Sequence, residues 1–476
     1  MSRIFAFVLF VIFSLNATAQ TTRPDYSDAL RLIDVWLDAQ KDFARVPGIS
    51  VAIVQNQDII FKKGYGFADV ERKVPMKPET LFSICSISKL FTSIAIMQLW
   101  EQGKLRLDDS LQALLPDYMI RQRYAQTVPI TVQSLLTHSS GLIRDADSSW
   151  NPPNFYFLTT DELKKSLITE ETLYPASTYF QYSNVGMSLL GEIVQRKSGK
   201  AYNDYIEENI LRPLQLSNTH PYLPEKLWRT EMATGYSALT REGNRKMQPL
   251  FKTNAITPAA GFSSNVLDLA RFASWQLRLL SADKPEVLRP STLKEMQRIH
   301  WASPDKRVTW GLGFLINYDP SNVARIGHDG SCPGYVSVVA IEPKKKLGIT
   351  VMINAQGVDV YSYSNQLFNL LNKNITVDTA ARNVDLSVYE GRYDSYTWSG
   401  EVAVIAVKGK LLTMNLPSGS PADAISEYRY IKKDTFRRIR PDDGSLGEEL
   451  VFERDGNGQV KSFRVHSLYR NKIGKL

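Results

Sequence analysis

Most of this 476-residue chain is predicted to adopt an α+β fold, followed by a small all-β domain. Three observations carry that prediction. β-rich segments occur near the start, at 48–68, and again at 309–317, 335–341 and 347–353. Helical patterns fill the interval between them. Strands from both ends, paired in one antiparallel sheet flanked by helices and a helical subdomain, explain that order. From 387 onward only short alternating runs and turn residues remain.

The elements follow in order. The chain opens MSRIFAFVLFVIFSLNATAQ, with Arg3, an apolar run from Ile4 to Leu15, and Ala17-Thr18-Ala19. This reads as a secretory signal peptide over 1–19, too short an apolar run for a membrane span. No cysteine follows the cleavage site, which argues against a lipid anchor there. A secreted or periplasmic protein without a stable membrane span is expected. GISVAIV, a polar turn at Gln55–Asp58 and IIFKKGYGFA form a hairpin. From Ser86 to about Gln102, Leu90, Ile94, Met97 and Leu99 recur at helical spacing, and Gly103 stops the helix. SLLGEIVQRKSGK, AYNDYIEENIL and VLDLARFASWQLRLL (266–280) are helical in period. Strands at 335–341 and 347–353 flank EPKKK as a second hairpin, and YSNQLFNLLN closes this part as a helix. Residues 374–386 read as a polar linker between a domain at 20–373 and one at 387–476. Turns at Gly409, Lys433-Asp434 and Asp455–Gly458 make the second domain an antiparallel, lipocalin-like meander that closes into a barrel.

Hydrophobic residues make up 43% of the chain, enough for ordinary globular cores. The net charge of +8 is scattered, with small clusters at Lys344–Lys346 and Arg437–Arg440. Neither a basic helix nor an aromatic-interleaved basic stripe is present, so nucleic acid is not an expected partner. The charge reads as a solvated surface with some attraction to an anionic envelope. Two cysteines are too few for a disulfide scaffold.

Three short patterns carry chemistry. In CSISKLFT, Ser86 and Lys89 lie one helical turn apart and leave the same face. A lysine there can activate the serine if it is neutral. That requires lowering its pKa from about 10.4 to about 7, roughly 4.6 kcal/mol. The plain alternative is an N-cap serine beside a surface lysine. Ser291/Lys294 and Ser303/Lys306 match the same letters. Tyr182-Ser183-Asn184 precedes a predicted helix and supplies a candidate acid, although Tyr363-Ser364-Asn365 repeats its letters. His328-Asp329-Gly330 lies on what reads as an edge strand. Of five histidines it is the one in His-x-Gly.

Ser86-x-x-Lys89, Tyr182-Ser183-Asn184 and His328-Asp329-Gly330 occur in the order found in the penicillin-recognising serine hydrolases. The chain resembles their class C β-lactamase, D,D-carboxypeptidase and esterase branch over roughly 27–372. LLTHSSGL (135–142), GFSSNVLDLARF (261–272) and WGLGF (310–314) add to the resemblance. The C-terminal part resembles small β-barrel domains appended to some relatives. The resemblance implies a β-lactamase/transpeptidase-like fold and an acyl-enzyme on Ser86. Lys89 takes the serine proton, and Tyr182 protonates the leaving group and helps activate water. Asn184 orients the substrate amide and Lys89. The backbone N–H groups of Ser86 and Ser331 form an oxyanion hole beside Gly330. His328 faces the cleft beside Tyr182. Class C β-lactamases usually carry lysine there. A histidine with pKa near 6.5 is mostly neutral at pH 7, which weakens carboxylate anchoring. Cys85 and Cys332 flank the same centre, and some class A relatives bridge the corresponding neighbours. Here the bridge and two buried free thiols stand as alternatives. No metal or cofactor is implied. The expected substrates are D-amino-acid peptides or other small amides and esters. A true β-lactamase and a non-hydrolytic penicillin-binding sensor are the rivals, and the oligomeric state is left open.

Overall fold

The computed structural model describes residues 24–124, 127–148, 150, 155–394, 396 and 399–476. The signal-peptide segment 1–19 lies outside the described residues. Helix α1 (Ser27–Phe43) is an addition to the predicted order. Its Ala29, Leu32, Ile33, Trp36 and Leu37 form one buried stripe, the pattern of a helix laid on a sheet.

The hairpin β1 (Gly48–Gln55) and β2 (Asp58–Asp69) follows. Its central helix is α2 (Ser88–Glu101), preceded by a single 3-10 turn at Cys85–Ile87. The helical block contains α3 (Asn184–Ser198), ended by Gly199 in the left-handed conformation, and α4 (Val266–Leu279). Strands β3 (Leu315–Tyr318), β4 (Ala324–Cys332), β5 (Tyr335–Glu342) and β6 (Leu347–Ile353) return to the sheet before α5 (Val360–Asn372). The predicted strand at 309–317 is split. Thr309–Trp310 and β3 are separate, because Gly313 at φ +86° turns the chain against Ser93 of α2.

The main sheet has nine strands and is antiparallel throughout. In order they are Val74–Pro75, β2, β1, β6, β5, β4, β3, Thr309–Trp310 and Trp301–Ala302. The first hairpin therefore pairs with the last strand, Ile49 opposite Ile353. Both faces of the centre are covered. Ile49, Val51 and Ile53 pack with α1 and α5, whereas Ala52 and Val54 pack with α2, α3 and α4. That double burial explains why GISVAIV and YVSVVAIE carry few polar residues.

The chain's last part is a closed eight-stranded up-and-down barrel. Its strands are β7 (Gly391–Tyr393), β8 (Glu401–Val407), β9 (Lys410–Leu416), β10 (Ile425–Lys432), β11 (Thr435–Ile439), β12 (Leu446–Arg454), β13 (Val460–Val465) and β14 (Leu468–Gly474). Tyr389, Tyr393, Phe436, Phe452 and Phe463 fill the interior in mutual ring contact. The connector 374–386 lies against this barrel. Asp378 pairs with Arg429 at 2.7 Å, and Ala381 and Leu386 join the barrel core.

Candidate active site

Ser86 sits in the 3-10 turn rather than in α2 itself. The residue before it, Cys85, has φ +51°, a left-handed conformation that costs a non-glycine residue about 1–3 kcal/mol. Neighbouring contacts hold it there. The Ser88 hydroxyl donates to the Cys85 carbonyl at 2.6 Å and accepts from Phe262 N–H at 3.0 Å. The Sγ atoms of Cys85 and Cys332 are bonded, with the two Cα atoms 5.7 Å apart. This ties the residue before Ser86 to the residue after Ser331.

Lys89 leaves the first turn of α2 and is wholly buried. Its Nζ is 3.1 Å from Ser86 Oγ and 2.7 Å from the Ala259 carbonyl. Burial pushes its pKa well below the usual lysine value, and the Arg144 charge adds to that shift. Nζ donates to both oxygens, which points the amine at the Ser86 hydroxyl. Tyr182 lies beside Lys89 and Ser86. Its ring centroid is 4.8 Å from Lys89 Nζ, and its hydroxyl is close enough to Ser86 for that side chain to temper its pKa. Burial raises the Tyr182 pKa, which keeps the phenol protonated. Burial thus favours the uncharged form of both groups, the lysine by lowering its pKa and the tyrosine by raising it.

Ser183 caps α3 through its hydroxyl, which accepts from Gly186 N–H at 2.9 Å. Asn184 is the first residue of that helix and is buried. Its side-chain amide donates to Asp145 at 2.8 Å, and no hydrogen bond joins it to Lys89. Lys89 takes its bonds from Ser86 and Ala259 instead. Asn184 Oδ1 is buried and has no hydrogen-bond partner among the described residues.

β4 is not an edge strand along its whole length. Residues 324–327 pair with β3 and 326–332 with β5, so 328–332 pair with β5 alone. The predicted edge is a free half-strand. Register places His328 opposite Val339, on the α2 face, and Asp329 opposite Val338, on the α1 face. Asp329 accepts a hydrogen bond from Tyr361 at 2.8 Å. Gly330 admits no side chain. A Cβ there would lie 2.1 Å from the Ile84 carbonyl oxygen. Ser331 follows it on the same free edge and is exposed.

The His328 side chain is 1% exposed, and burial lowers its pKa to about 4. This corrects the expected value near 6.5. The ring is neutral throughout the physiological range and is no cationic anchor. Its centroid stands 6.3 Å from that of Tyr182 and 5.5 Å from that of Trp310.

Five contributors escaped the motif reading. The His138 ring packs on Tyr182 at 4.3 Å, and its Nδ1 accepts from Ser183 N–H at 3.2 Å. Trp310 meets the His138 ring edge-on at 5.1 Å. Both residues lie in LLTHSSGL and WGLGF, so their segments were visible although their roles were not. Arg144 stands over the Tyr182 ring at 5.1 Å and pairs with Asp145 at 3.3 Å. The fifth, Ala259, acts through its backbone and leaves no trace in side-chain chemistry. Ser291, Ser303 and Tyr363 stay outside this arrangement. Tyr363 is buried against Trp36 in the α1 layer.

A Ser-x-x-Lys at the entry to a buried helix against an antiparallel sheet, with a tyrosine from an adjoining helical block, defines the serine β-lactamase and penicillin-binding-protein-like class. The chain belongs to the beta-lactamase family, whose model matches residues 34–368. It is 27% identical over 332 residues to "Protein flp" of Staphylococcus aureus strain MW2, covering 69% of this chain and 64% of that one. The chain thus spans just under two thirds of that relative's length. It is 25% identical to "Beta-lactamase-like protein 4" of Dictyostelium discoideum over 388 residues, 75% of this chain and 67% of that protein. Among solved structures it is similar to the octameric penicillin-binding protein homologue from Pyrococcus abyssi. The TM-score is 0.63 at 25% identity, covering 93% of this chain and 99% of that one.

Proposed function

We propose that the protein is an exported serine hydrolase that forms an acyl-enzyme on Ser86. Its proposed substrates are amides or esters of small acyl groups, with D-amino-acid peptides as the main class. The observation that carries the reading is the buried Lys89 amine, its pKa pushed down by burial, 3.1 Å from Ser86 Oγ with Tyr182 beside both. Ser86 Oγ gives its proton to Lys89 and bonds to the substrate carbonyl carbon. The oxyanion faces the N–H groups of Ser86 and Ser331. Tyr182 gives its proton to the leaving nitrogen or oxygen as the scissile bond breaks, and Lys89 returns a proton to Tyr182. Water then attacks the ester with the same groups acting in reverse. Export to the bacterial envelope is proposed from the N-terminal signal pattern.

The test is intact mass of the purified protein after benzylpenicillin, with drug loss followed alongside. A lasting adduct, absent in Ser86→Ala, supports a slowly deacylating peptidase-like site. Fast drug loss without an adduct makes the protein a β-lactamase. If Ser86→Ala retains hydrolysis of every ester and peptide cleaved by the wild type, the nucleophile is wrong.

A further inference from the structure

We propose that Arg144 is a specificity residue of this site, its guanidinium binding a carboxylate carried on the acyl portion of the substrate. The inference rests on the serine-hydrolase reading and names the substrate class.

Besides His138, buried against the Tyr182 ring with its pKa pushed below the usual histidine value, the site contains three described side chains able to carry positive charge. Lys89 is wholly buried and is committed to Ser86 and Ala259. His328 is 1% exposed and neutral. Arg144 differs from both, with a side chain 62% exposed and a guanidinium that never loses its charge. Its carbon Cζ is 5.1 Å from the Tyr182 ring centroid, and the same ring has Lys89 Nζ at 4.8 Å. Arg144 therefore stands next to the reacting atoms while open to a ligand. Its Nε lies 3.3 Å from Asp145 Oδ2, and the planar fork of a guanidinium suits a bidentate carboxylate.

The side of the substrate follows from Asp145. The same carboxylate accepts from Asn184 Nδ2 at 2.8 Å. Asn184 Oδ1 is a buried acceptor with no partner among the described residues and suits the N–H of an acyl-side amide. Arg144, held beside Asn184 through Asp145, meets the next group outward along that acyl chain. A short acidic acyl group, such as glutaryl or an acidic amino-acid residue, fits this arrangement.

The test uses two pairs of esters. 4-Nitrophenyl hydrogen glutarate and 4-nitrophenyl valerate share a leaving group and differ by the acyl carboxylate. 4-Acetoxybenzoate and phenyl acetate place the carboxylate on the leaving group instead. Ratios of kcat/KM are taken on the pH plateau of each variant, because Arg144 also acts on Lys89. The wild type is expected to favour glutarate over valerate by about tenfold or more, the scale of a charge-assisted contact. Arg144→Gln collapses that ratio, Arg144→Lys restores part of it, and the acetoxybenzoate ratio stays put. Equal losses on glutarate and valerate would make Arg144 a support for Tyr182 only. A fall confined to acetoxybenzoate would place the anion on the wrong side. Either result overturns the proposal. Calorimetry on Ser86→Ala separates it from the hydrolase reading. Arg144-dependent preference for the glutarate ester without wild-type turnover upholds Arg144 and sinks the hydrolase. Equal binding of both esters sinks Arg144 even if hydrolysis proceeds.

Discussion

Gly330→Ala tests whether the spacing between β4 and the Ser86 turn sets the rate. The added methyl carbon would lie 2.1 Å from the Ile84 carbonyl oxygen and 2.6 Å from Ser337 Oγ. An ordinary C···O contact is about 3.3 Å or more, so the two segments must part by roughly 1 Å. Neither yields easily. Ile84 donates to Phe262 O at 2.9 Å and its carbonyl accepts from the Ser337 hydroxyl at 3.1 Å. β4 is fixed by its ladder to β5 and by the Cys85–Cys332 bond. The displacement falls between Ser86 and Ser331, whose N–H groups are proposed to share one oxyanion. Misplacement by 1 Å or loss of one oxyanion donor costs about 100-fold in rate. Overpacking itself costs about 1–3 kcal/mol of stability, which leaves a folded protein to assay. The readout is the rate of Ser86 modification by a fluorophosphonate, followed by intact mass, together with thermal unfolding. Gly456→Ala, where nothing lies within 4 Å of the new carbon, is the control. A folded Gly330→Ala protein that labels within threefold of wild type would refute the spacing argument.

Three further outcomes follow from the same geometry. Tyr182→Phe is expected to slow amides and alkyl esters by about 100-fold or more, but nitrophenyl esters far less, since nitrophenolate departs without a proton; equal slowing would remove Tyr182 as the acid. His328 binds its proton near pH 4 when folded and near 6.5 when unfolded, so the unfolded chain takes up more protons between those values. Stability therefore falls with pH across that window, by about 3 kcal/mol from this group. His328→Gln should flatten part of the melting-temperature slope between pH 7 and 4, with His138, shifted in the same direction, retaining the rest. The Cys85–Cys332 bond closes a 247-residue separation, worth about 5 kcal/mol in the chain-entropy model. Paired serine substitutions should lower the unfolding midpoint and slow fluorophosphonate labelling, whereas an unchanged midpoint would deny the bond its structural role.

Much of this architecture was legible because its elements obey one period each. β1, β5 and β6 are unbroken apolar runs since both faces of the sheet are covered. β8 shows the same effect in the barrel, with Val402 and Val404 facing the core and Ala403, Ile405 and Val407 facing α1 and α5. Helix α1 lies outside the predicted order although its buried stripe of Leu32, Ile33, Trp36 and Leu37 is regular. At the site, Ser86, Lys89, Tyr182 and Asn184 are side chains in short motifs and could be read. The Ala259 carbonyl, the free half of β4 and the neutral state of His328 could not, since they arise from packing between segments far apart in sequence. Asn184 carried a readable letter but an unreadable partner. Asp145 lies 39 residues away, on a loop whose course no local pattern determines.

The barrel's position narrows what it can do. Ile405, Leu412, Met414 and Leu416 on the outside of β8 and β9 pack into the same cluster as Trp36 of α1 and Phe368 of α5. Trp36 Nε1 donates to the Ser418 carbonyl at 2.9 Å, and Arg31 donates to the Ala406 carbonyl at 2.9 Å. This is the α1 and α5 layer, whereas Ser86 and Lys89 belong to the α2 side. With the sheet between them, the barrel does not cap the Ser86 cleft of its own chain. Ile405→Asp tests the consequence. It places an unpaired carboxylate at a position with 0% exposure, a change costing several kcal/mol, and should loosen the barrel without touching Ser86. Differential scanning calorimetry should show an earlier transition. Below that transition, activity on short esters and on longer peptides should fall by the same factor. A selective loss on long peptides would show that the barrel reaches the substrate after all, which in this architecture requires the barrel of a neighbouring chain.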